Sequence, residues 1–167
     1  MHSIRIKELV PQDRDEDKQA LLPVFLEIWN APENLKYLSF TLKPFEAKLI
    51  AFWLDNHKAQ GGRYFCALNE HEEILGILVA KASSIEGFEI YAVGVLPTQK
   101  GKGIGRELIA HAVHLAESSG FKDITALVFA DNVAMLRLLL SFAFIPVGME
   151  YHKRADGADM LLLKKYL

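Results

Sequence analysis

The sequence lacks three features that would point at once to a class of protein. It has one cysteine, Cys66, so it forms no intrachain disulfide. It has no apolar run near the roughly eighteen residues that a membrane helix requires. It also lacks an excess of positive charge, because 19 Lys and Arg residues stand against 21 Asp and Glu residues. A protein that neutralises a nucleic-acid backbone usually has a strongly basic balance. We therefore expect no nucleic-acid partner and no membrane.

The composition favours one globular domain. The chain has 167 residues, of which 51% are hydrophobic and 24% are charged, which is enough for one well-buried core but short for two domains. No internal repeat, low-complexity tract or linker interrupts it, so we expect a single domain over residues 1–167. Residues 1–18 are too charged for a signal peptide, and together with the lone cysteine this predicts a cytoplasmic location.

Hydrophobic periodicity predicts the element order β α α β β β α β α β β. Helices are expected over residues 15–29, from Pro44 onward, over residues 103–120 and over residues 132–142, with a loop between the first two. The second helix is expected to turn a set of apolar side chains inward: Phe45, Leu49, Phe52 and Trp53. The fold class is therefore α/β (α+β), a mixed, mostly antiparallel sheet of about seven strands flanked by about four helices.

The most informative stretch, residues 91–108, reads YAVGVLPTQKGKGIGREL. Three alternating glycines follow a strand and precede an amphipathic helix, so several backbone N–H groups can point at one anion. Three basic side chains add positive charge, which favours a diphosphate ligand over the alternative of a solvated basic turn. The glycines are Gly101, Gly103 and Gly105, and the basic residues are Lys100, Lys102 and Arg106.

This loop matches neither of the two common nucleotide-binding motifs. A dinucleotide fingerprint requires G-x-G-x-x-G, but the third position here is Leu108. A P-loop requires Lys followed by Ser or Thr, and no such pair is present. A phosphotransferase using the same anion site is a weak alternative, because no carboxylate pair for Mg²⁺ lies near the loop.

The loop resembles the acyl-CoA loop of the GNAT superfamily of N-acetyltransferases, whose signature [R/Q]-x-x-G-x-[G/A] follows a strand ending in V-x-P. The signature falls on Lys100, Gly103 and Gly105, with Lys where Arg or Gln is usual. Lys keeps the charge but gives up the planar fork of Arg. The stretch DNVAMLRLLLSFAFIPVG resembles a later family helix, although the usual Gly-Phe is here Ala143-Phe144.

The resemblance implies acetyl-CoA as the cosubstrate and no metal. The pyrophosphate would bind the backbone N–H groups of residues 101–106, which include Ile104. The pantetheine arm would lie where the strands FEIYAVGVL and DITALVFA part, beside the backbone of Val93 and Val95 and the side chain of Asn132. Gly94 is a position where a β-bulge is easily accommodated.

Acetylation of an amine requires a neutral nucleophile, so a general base is expected. Glu89 stands where histone-type relatives carry a glutamate base, and its apolar neighbours could raise its pKa. The alternative is a strand residue that faces solvent or pairs with a lysine on the next strand. Tyr91 lies two residues further on and would share the face of Glu89. It could contact the acceptor or serve only as a packed aromatic.

The usual general acid of the family is missing. Relatives often carry a tyrosine seven residues after the helix-opening asparagine, and here that position is Leu139. We expect the thiolate to leave without a dedicated tyrosine, with Tyr91 and Tyr151 as the obvious substitutes. Thiols have a pKa near 8.5, so their protonation matters less than neutralising the amine.

The acceptor is less defined. Residues 30–43 and 151–159 would recognise it, with Tyr37, Phe40 and Tyr151 as binding residues. Acidic residues in these segments indicate a cationic amine: Glu33, Asp156 and Asp159. We expect surface histidines at 111 and 114 rather than a metal site, and an inert thiol at Cys66.

The sequence therefore predicts an N-acyltransferase that moves an acetyl group from acetyl-CoA to a primary amine of a small molecule or peptide by direct attack. The alternative is a degenerate acyl-CoA-binding sensor, which the absent tyrosine makes worth testing. A homodimer is compatible with either.

Overall fold

A computed structural model of the protein describes residues 4–167. Its centre is a seven-stranded sheet in the order β1-β2-β3-β4-β5-β7-β6, in which only β4 and β5 run parallel. The mixed, mostly antiparallel sheet expected from the sequence is confirmed. The strands are β1 Arg5–Leu9, β2 Gly62–Leu68, β3 Ile74–Ser83, β4 Gly87–Val95, β5 Asp123–Phe129, β6 Ile145–Glu150 and β7 Met160–Tyr166.

Five α-helices accompany the sheet: α1 Asp15–Asn30, α2 Pro32–Leu38, α3 Ala47–Asn56, α4 Ile104–Ser118 and α5 Val133–Ser141. The sequence predicted about four, because the segment after α1 was expected to be loop. Helix α2 has only seven residues and begins with proline, so it is too short to show a helical period. Within residues 4–167, no helix has the length and apolar content needed to cross a bilayer.

Two apolar layers form on opposite faces of the sheet. Helix α4 packs one face through the stripe that its 3.6-residue period predicts, and Ile104, Leu108 and Ala112 are fully or almost fully buried. The other face is covered by α1 and α3, where Leu21, Phe25 and other α1 residues meet the sheet. The sheet therefore separates α4 from α1 and α3.

The inward face of α3 differs from the prediction. Ile50 and Leu54 are its buried residues, whereas Leu49 is 42% exposed and Phe52 is 61% exposed. The helix begins at Ala47 and not near Pro44, which leaves Phe45 in the preceding loop. The buried stripe runs through Ile50 and Leu54, one residue or about 100° around the helix from the predicted Leu49 and Trp53. Phe45 instead packs edge-on against Trp53, with ring centroids 5.7 Å apart.

The β-bulge expected at Gly94 lies at Tyr91. Ile90 and Ala92 pair with consecutive residues of β3, so Tyr91 is the extra residue on β4. The strand is bent within its central part and not near its end.

Position 94 requires glycine because α1 packs closely against β4 at this point. A Cβ at this position would lie 2.4 Å from Cγ2 of Ile28 and 3.0 Å from Cζ3 of Trp29. Both contacting side chains are buried, so they have little room to move. The missing side chain lets α1 lie directly on β4.

We predict that Gly94→Ala destabilises the fold by about 1–3 kcal/mol through overpacking. The control is Gly148→Ala on β6, where the added Cβ would meet Leu162 at an ordinary 3.7 Å. Urea denaturation of the three proteins measures both effects. Equal stability of Gly94→Ala and Gly148→Ala would show that α1 does not constrain this position.

Candidate active site

The glycine loop joins the end of β4 to the first turn of α4. Gly101 and Gly103 have φ values of 76° and 83°, a left-handed conformation that suits glycine. Gly103 is the N-cap of α4, and no side chain caps the helix. No atom outside the adjoining residues lies within 4 Å of a Cβ built at either glycine. The loop thus presents the positive end of a helix and its free N–H groups to open space.

The three basic residues of the loop have different surroundings. Lys100 lines the cavity beside the loop. Lys102 Nζ donates a hydrogen bond to Gln99 Oε1 at 3.0 Å. Arg106 donates to Ser141 Oγ at 3.2 Å, and its guanidinium lies 4.9 Å from the centroid of the Phe142 ring. In this arrangement Lys100 is the basic side chain best placed to meet an anion in the cavity.

The first cavity, of about 280 Å³, lies between the loop, the end of β4, α2 and α5. Its walls include the predicted residues Val93, Val95, Gly101, Gly103, Ile104, Gly105 and Asn132. Helix α2, which the sequence did not predict, supplies Tyr37 and Leu38, and α5 supplies Met135 and Leu138. The loop and the helices thus enclose one groove.

Asn34 fixes α2 against the sheet. Its side chain is 7% exposed, and Nδ2 donates to the backbone oxygens of Ile28 at 2.8 Å and Val95 at 3.0 Å. The Val95 carbonyl at the end of β4 therefore already accepts one hydrogen bond. The sequence alone does not indicate this role, because a single asparagine carries no periodic signal.

Strands β4 and β5 part as predicted. They pair only from Phe88 to Ile90, opposite residues 124–126, and the remainder of β4 has no partner on that side. A small second cavity of about 50 Å³ lies in the gap, lined by residues of both strands. Leu139 also lines it and is 1% exposed. The tyrosine position of the resemblance therefore faces the gap but carries no hydroxyl.

Asn132 lies between the first and second cavities. Its Oδ1 accepts a hydrogen bond from the Met135 N–H at 3.2 Å and so caps α5. No residue of the described chain binds its Nδ2, so this group can donate toward the cleft. The side chain combines a structural role with a possible ligand contact.

Glu89 and Tyr91 line a third cavity of about 600 Å³ on the α1–α3 face of the sheet. Burial raises the pKa of Glu89, and nearby Lys81 partly offsets the shift. Lys81 is the cross-strand partner of Glu89, but its ammonium lies over the Tyr91 ring, 4.2 Å from the centroid. Glu89 forms no ion pair with the described residues. It is therefore a half-buried carboxylate that is readily protonated and free to accept a proton.

The three cavities adjoin one another along β4 and share wall residues. Tyr37 and Leu38 line all three, and Tyr91 and Ala92 line both the second and the third. The glycine loop, the parting of β4 and β5, and the carboxylate of Glu89 therefore border neighbouring cavities on one stretch of β4.

A family model described as the acetyltransferase (GNAT) family matches residues 23–144, which is most of the chain. The chain belongs to the GNAT acetyltransferase family. It is 31% identical over 148 residues to the mycothiol acetyltransferase of Renibacterium salmoninarum, a match that covers 85% of this chain and 40% of that protein. The chain thus spans about two fifths of the length of this relative.

Solved structures show the GNAT fold at low identity. The ribosomal-protein-alanine N-acetyltransferase of Brucella melitensis superposes with a TM-score of 0.76 at 22% identity, covering 99% of both chains. A phosphinothricin acetyltransferase of Sinorhizobium meliloti, in complex with acetyl-CoA, superposes with a TM-score of 0.74 at 18% identity. That match covers 99% of this chain and 88% of the other.

Some of the residues predicted to bind the acceptor do not line the third cavity of this GNAT chain. Phe40 lines the third cavity, but Tyr151 is 67% exposed and lines none of the three. Asp156 pairs with Arg154, and Asp159 Oδ1 accepts a hydrogen bond from the His152 N–H. These two carboxylates are thus engaged in holding the β6–β7 loop. Glu33 lines the first cavity and not the third.

The remaining candidates are structural. His111 is half-buried and not exposed as predicted, and its ring centroid lies 5.1 Å from that of Phe65. The pKa of His111 is lowered, and burial is the main cause. His114 is exposed. Residues 4–167 contain no group of three or more His, Cys, Asp or Glu placed to hold a metal. Cys66 is fully buried, and burial raises the pKa of its thiol to about 12.

Arg154 ties together the loops around the site. The side chain is buried, and its guanidinium donates to the Lys36 carbonyl at 2.7 Å, to Asp131 at 2.6 Å and to Asp156 at 2.8 Å. Beside it, the Ala155 N–H donates to the Phe40 carbonyl at 2.8 Å. The β6–β7 loop thereby holds the end of α2 and the turn before α5, which both line the cavities.

We predict that Arg154→Met lowers the melting temperature by several degrees. Methionine cannot donate the hydrogen bonds of the guanidinium, so the Lys36 carbonyl and the carboxylates of Asp131 and Asp156 lose their partner. The control is Lys153→Met, which removes a pair with Glu150 whose two side chains are each 42% exposed and which should change stability little. Differential scanning calorimetry measures both. Equal melting temperatures for the two variants would contradict the role given to Arg154.

Proposed function

We propose that the protein transfers an acetyl group from acetyl-CoA to a primary amine by direct attack of the amine. The adjacency of the three cavities along β4 carries the proposal, because the glycine loop borders the first cavity and a carboxylate with a raised pKa borders the third. This arrangement would place a donor site, a reaction point and an acceptor site along one strand.

The donor would be held by the first cavity. The free N–H groups at the start of α4, the left-handed glycines and Lys100 suit a diphosphate. Apolar side chains of α5 and the edge of β4 line the rest of the groove, which suits a long uncharged arm. Asn132 can donate to a polar atom of that arm. When bound, acetyl-CoA supplies the activated acetyl group.

Glu89 would act as the general base. An amine with a pKa near 10 is charged at neutral pH and must lose a proton before it attacks. The carboxylate of Glu89 lies in the wall of the acceptor cavity and has no ion-pair partner in the described chain. Its raised pKa makes it a better proton acceptor than a solvated glutamate.

The leaving sulfur would receive its proton without a dedicated tyrosine. The neutral amine attacks the thioester carbon, the carbon–nitrogen bond forms and the carbon–sulfur bond breaks. The attacking nitrogen, now positively charged, must lose one proton, and the departing thiolate must gain one. Leu139 supplies none. The new ammonium or solvent can supply it, because a thiolate is a good leaving group.

The second candidate is an acyl-CoA-binding sensor that does not turn over, which the leucine at position 139 favours. Release of free CoA that depends on an added amine separates an enzyme from such a sensor. A homodimer and a cytoplasmic location stay predictions from the sequence.

We predict that acetyl-CoA raises the melting temperature of the protein, because a ligand that binds only the folded state stabilises it by mass action. Gly103→Val should abolish the shift, since its side chain would occupy the space over the loop. The control is Gly120→Val, at the end of α4, which has a similar φ of 79° and equally open surroundings. It imposes similar backbone strain away from the loop. If ATP shifts the melting temperature and acetyl-CoA does not, the proposed donor is wrong.

We predict that Glu89→Gln lowers kcat by about 10² or more and leaves acetyl-CoA binding intact. Activity of the unchanged protein should fall as the pH falls through the raised pKa of Glu89, since protonation removes the base, and this acid limb should vanish in the variant. Glu117→Gln, which changes an exposed glutamate on α4, is the control. A Glu89→Gln protein with near-normal turnover at pH 7 would return Glu89 to a structural role.

A further inference from the structure

The wall of the third cavity is mostly apolar and aromatic. Helices α1 and α3 and the segment between α2 and α3 contribute the rings of Trp29, Phe40, Phe45 and Trp53, and β5 contributes Phe129. The cavity volume of about 600 Å³ falls within the range of small-molecule sites. Such a wall favours a ligand with a flat apolar body, because rings gain from stacking and edge contacts as well as from burial.

Charged groups in this cavity are few and unevenly placed. Glu89 is half-buried on β4, whereas Lys43 and Glu46 are exposed and have opposite charges. The interior therefore offers one carboxylate, which the reacting amine needs. A second ammonium in the interior would lie among apolar side chains at a large desolvation cost, because the other lining carboxylate, Glu46, is exposed to solvent.

Aromatic walls can also bind cations through their ring faces, but here the protein's own cations occupy three of these rings. Lys36 lies 4.6 Å from the centroid of Tyr37, and Lys81 and Arg154 lie over the rings of Tyr91 and Phe129. Nearby positive charge repels a further ammonium. The acidic residues that indicated a cationic acceptor do not line this cavity. Glu33 lines the first cavity, Asp156 pairs with Arg154, and Asp159 accepts a hydrogen bond from the His152 N–H.

We infer that the acceptor is a primary amine carried on an aromatic body, with one positive charge and no second cationic group. The amine would lie near Glu89 and the ring among Trp29, Phe40 and Trp53. The inference rests on the proposed function for its reaction, but the binding preference can be measured without turnover.

Both tryptophans of the chain, Trp29 and Trp53, line the third cavity, so intrinsic tryptophan fluorescence reports its occupation. We expect 2-phenylethylamine to give a saturable fluorescence change and 1,4-diaminobutane to give none, or one with at least tenfold weaker affinity. Phe40→Ala should weaken 2-phenylethylamine binding about tenfold. Phe52→Ala, which removes the same side chain from an exposed position of α3 outside the cavity, should leave it unchanged.

The same panel with acetyl-CoA tests the reaction. We expect kcat/KM for 2-phenylethylamine to exceed that for 1,4-diaminobutane and for ethylamine at least tenfold, and Phe40→Ala to reduce this preference. If both readouts favour the diamine or make no distinction, the inference is wrong. If fluorescence shows the aromatic preference but no amine is acetylated, the inference about the cavity holds and the proposed function fails.

Discussion

The parting of β4 and β5 is the constraint on which the site depends. The two strands pair at three residue pairs, from Phe88 to Ile90, while β5 continues to pair with β7 over its full length. Beyond Ile90 the backbone of β4 is therefore open on one edge. Helix α2, fastened by Asn34, and helix α5, capped by Asn132, cover this opening without closing it. The three cavities follow the exposed edge in sequence.

The bulge at Tyr91 reverses which face of the sheet alternate side chains of β4 occupy. In an unbroken strand Glu89, Val93 and Val95 would project from the same face. The extra residue reverses the alternation, so Val93 and Val95 pack on the α4 side whereas Glu89 and Ala92 face α1 and α3. The half with Glu89 borders the third cavity, and the other half borders the first cavity beside the glycine loop. A single inserted residue thus turns Glu89 to one face of the sheet and Val93 and Val95 to the other.

Much of this could be read from the sequence, and the limits have physical causes. Period-2 and period-3.6 patterns located the seven strands and the longer helices, and the glycine loop was recognisable because glycine and charge are local signals. Helix α2 and the bulge were missed, since seven residues and one extra residue leave no periodic trace. Ala143 stands where the resemblance expects glycine and indeed has a φ of 63°. The Arg154 contacts join residues up to 118 positions apart, which no local pattern encodes.

In the proposed reaction, an amine in the third cavity takes the acetyl group of a donor bound at the glycine loop. Incubating the protein with an amine and with acetyl-CoA that is isotopically labelled in its acetyl group, followed by mass spectrometry of the amine, tests this directly. We expect labelled amide and free CoA in equal amounts. Label that remains in acetyl-CoA, or appears only as free acetate, would contradict it.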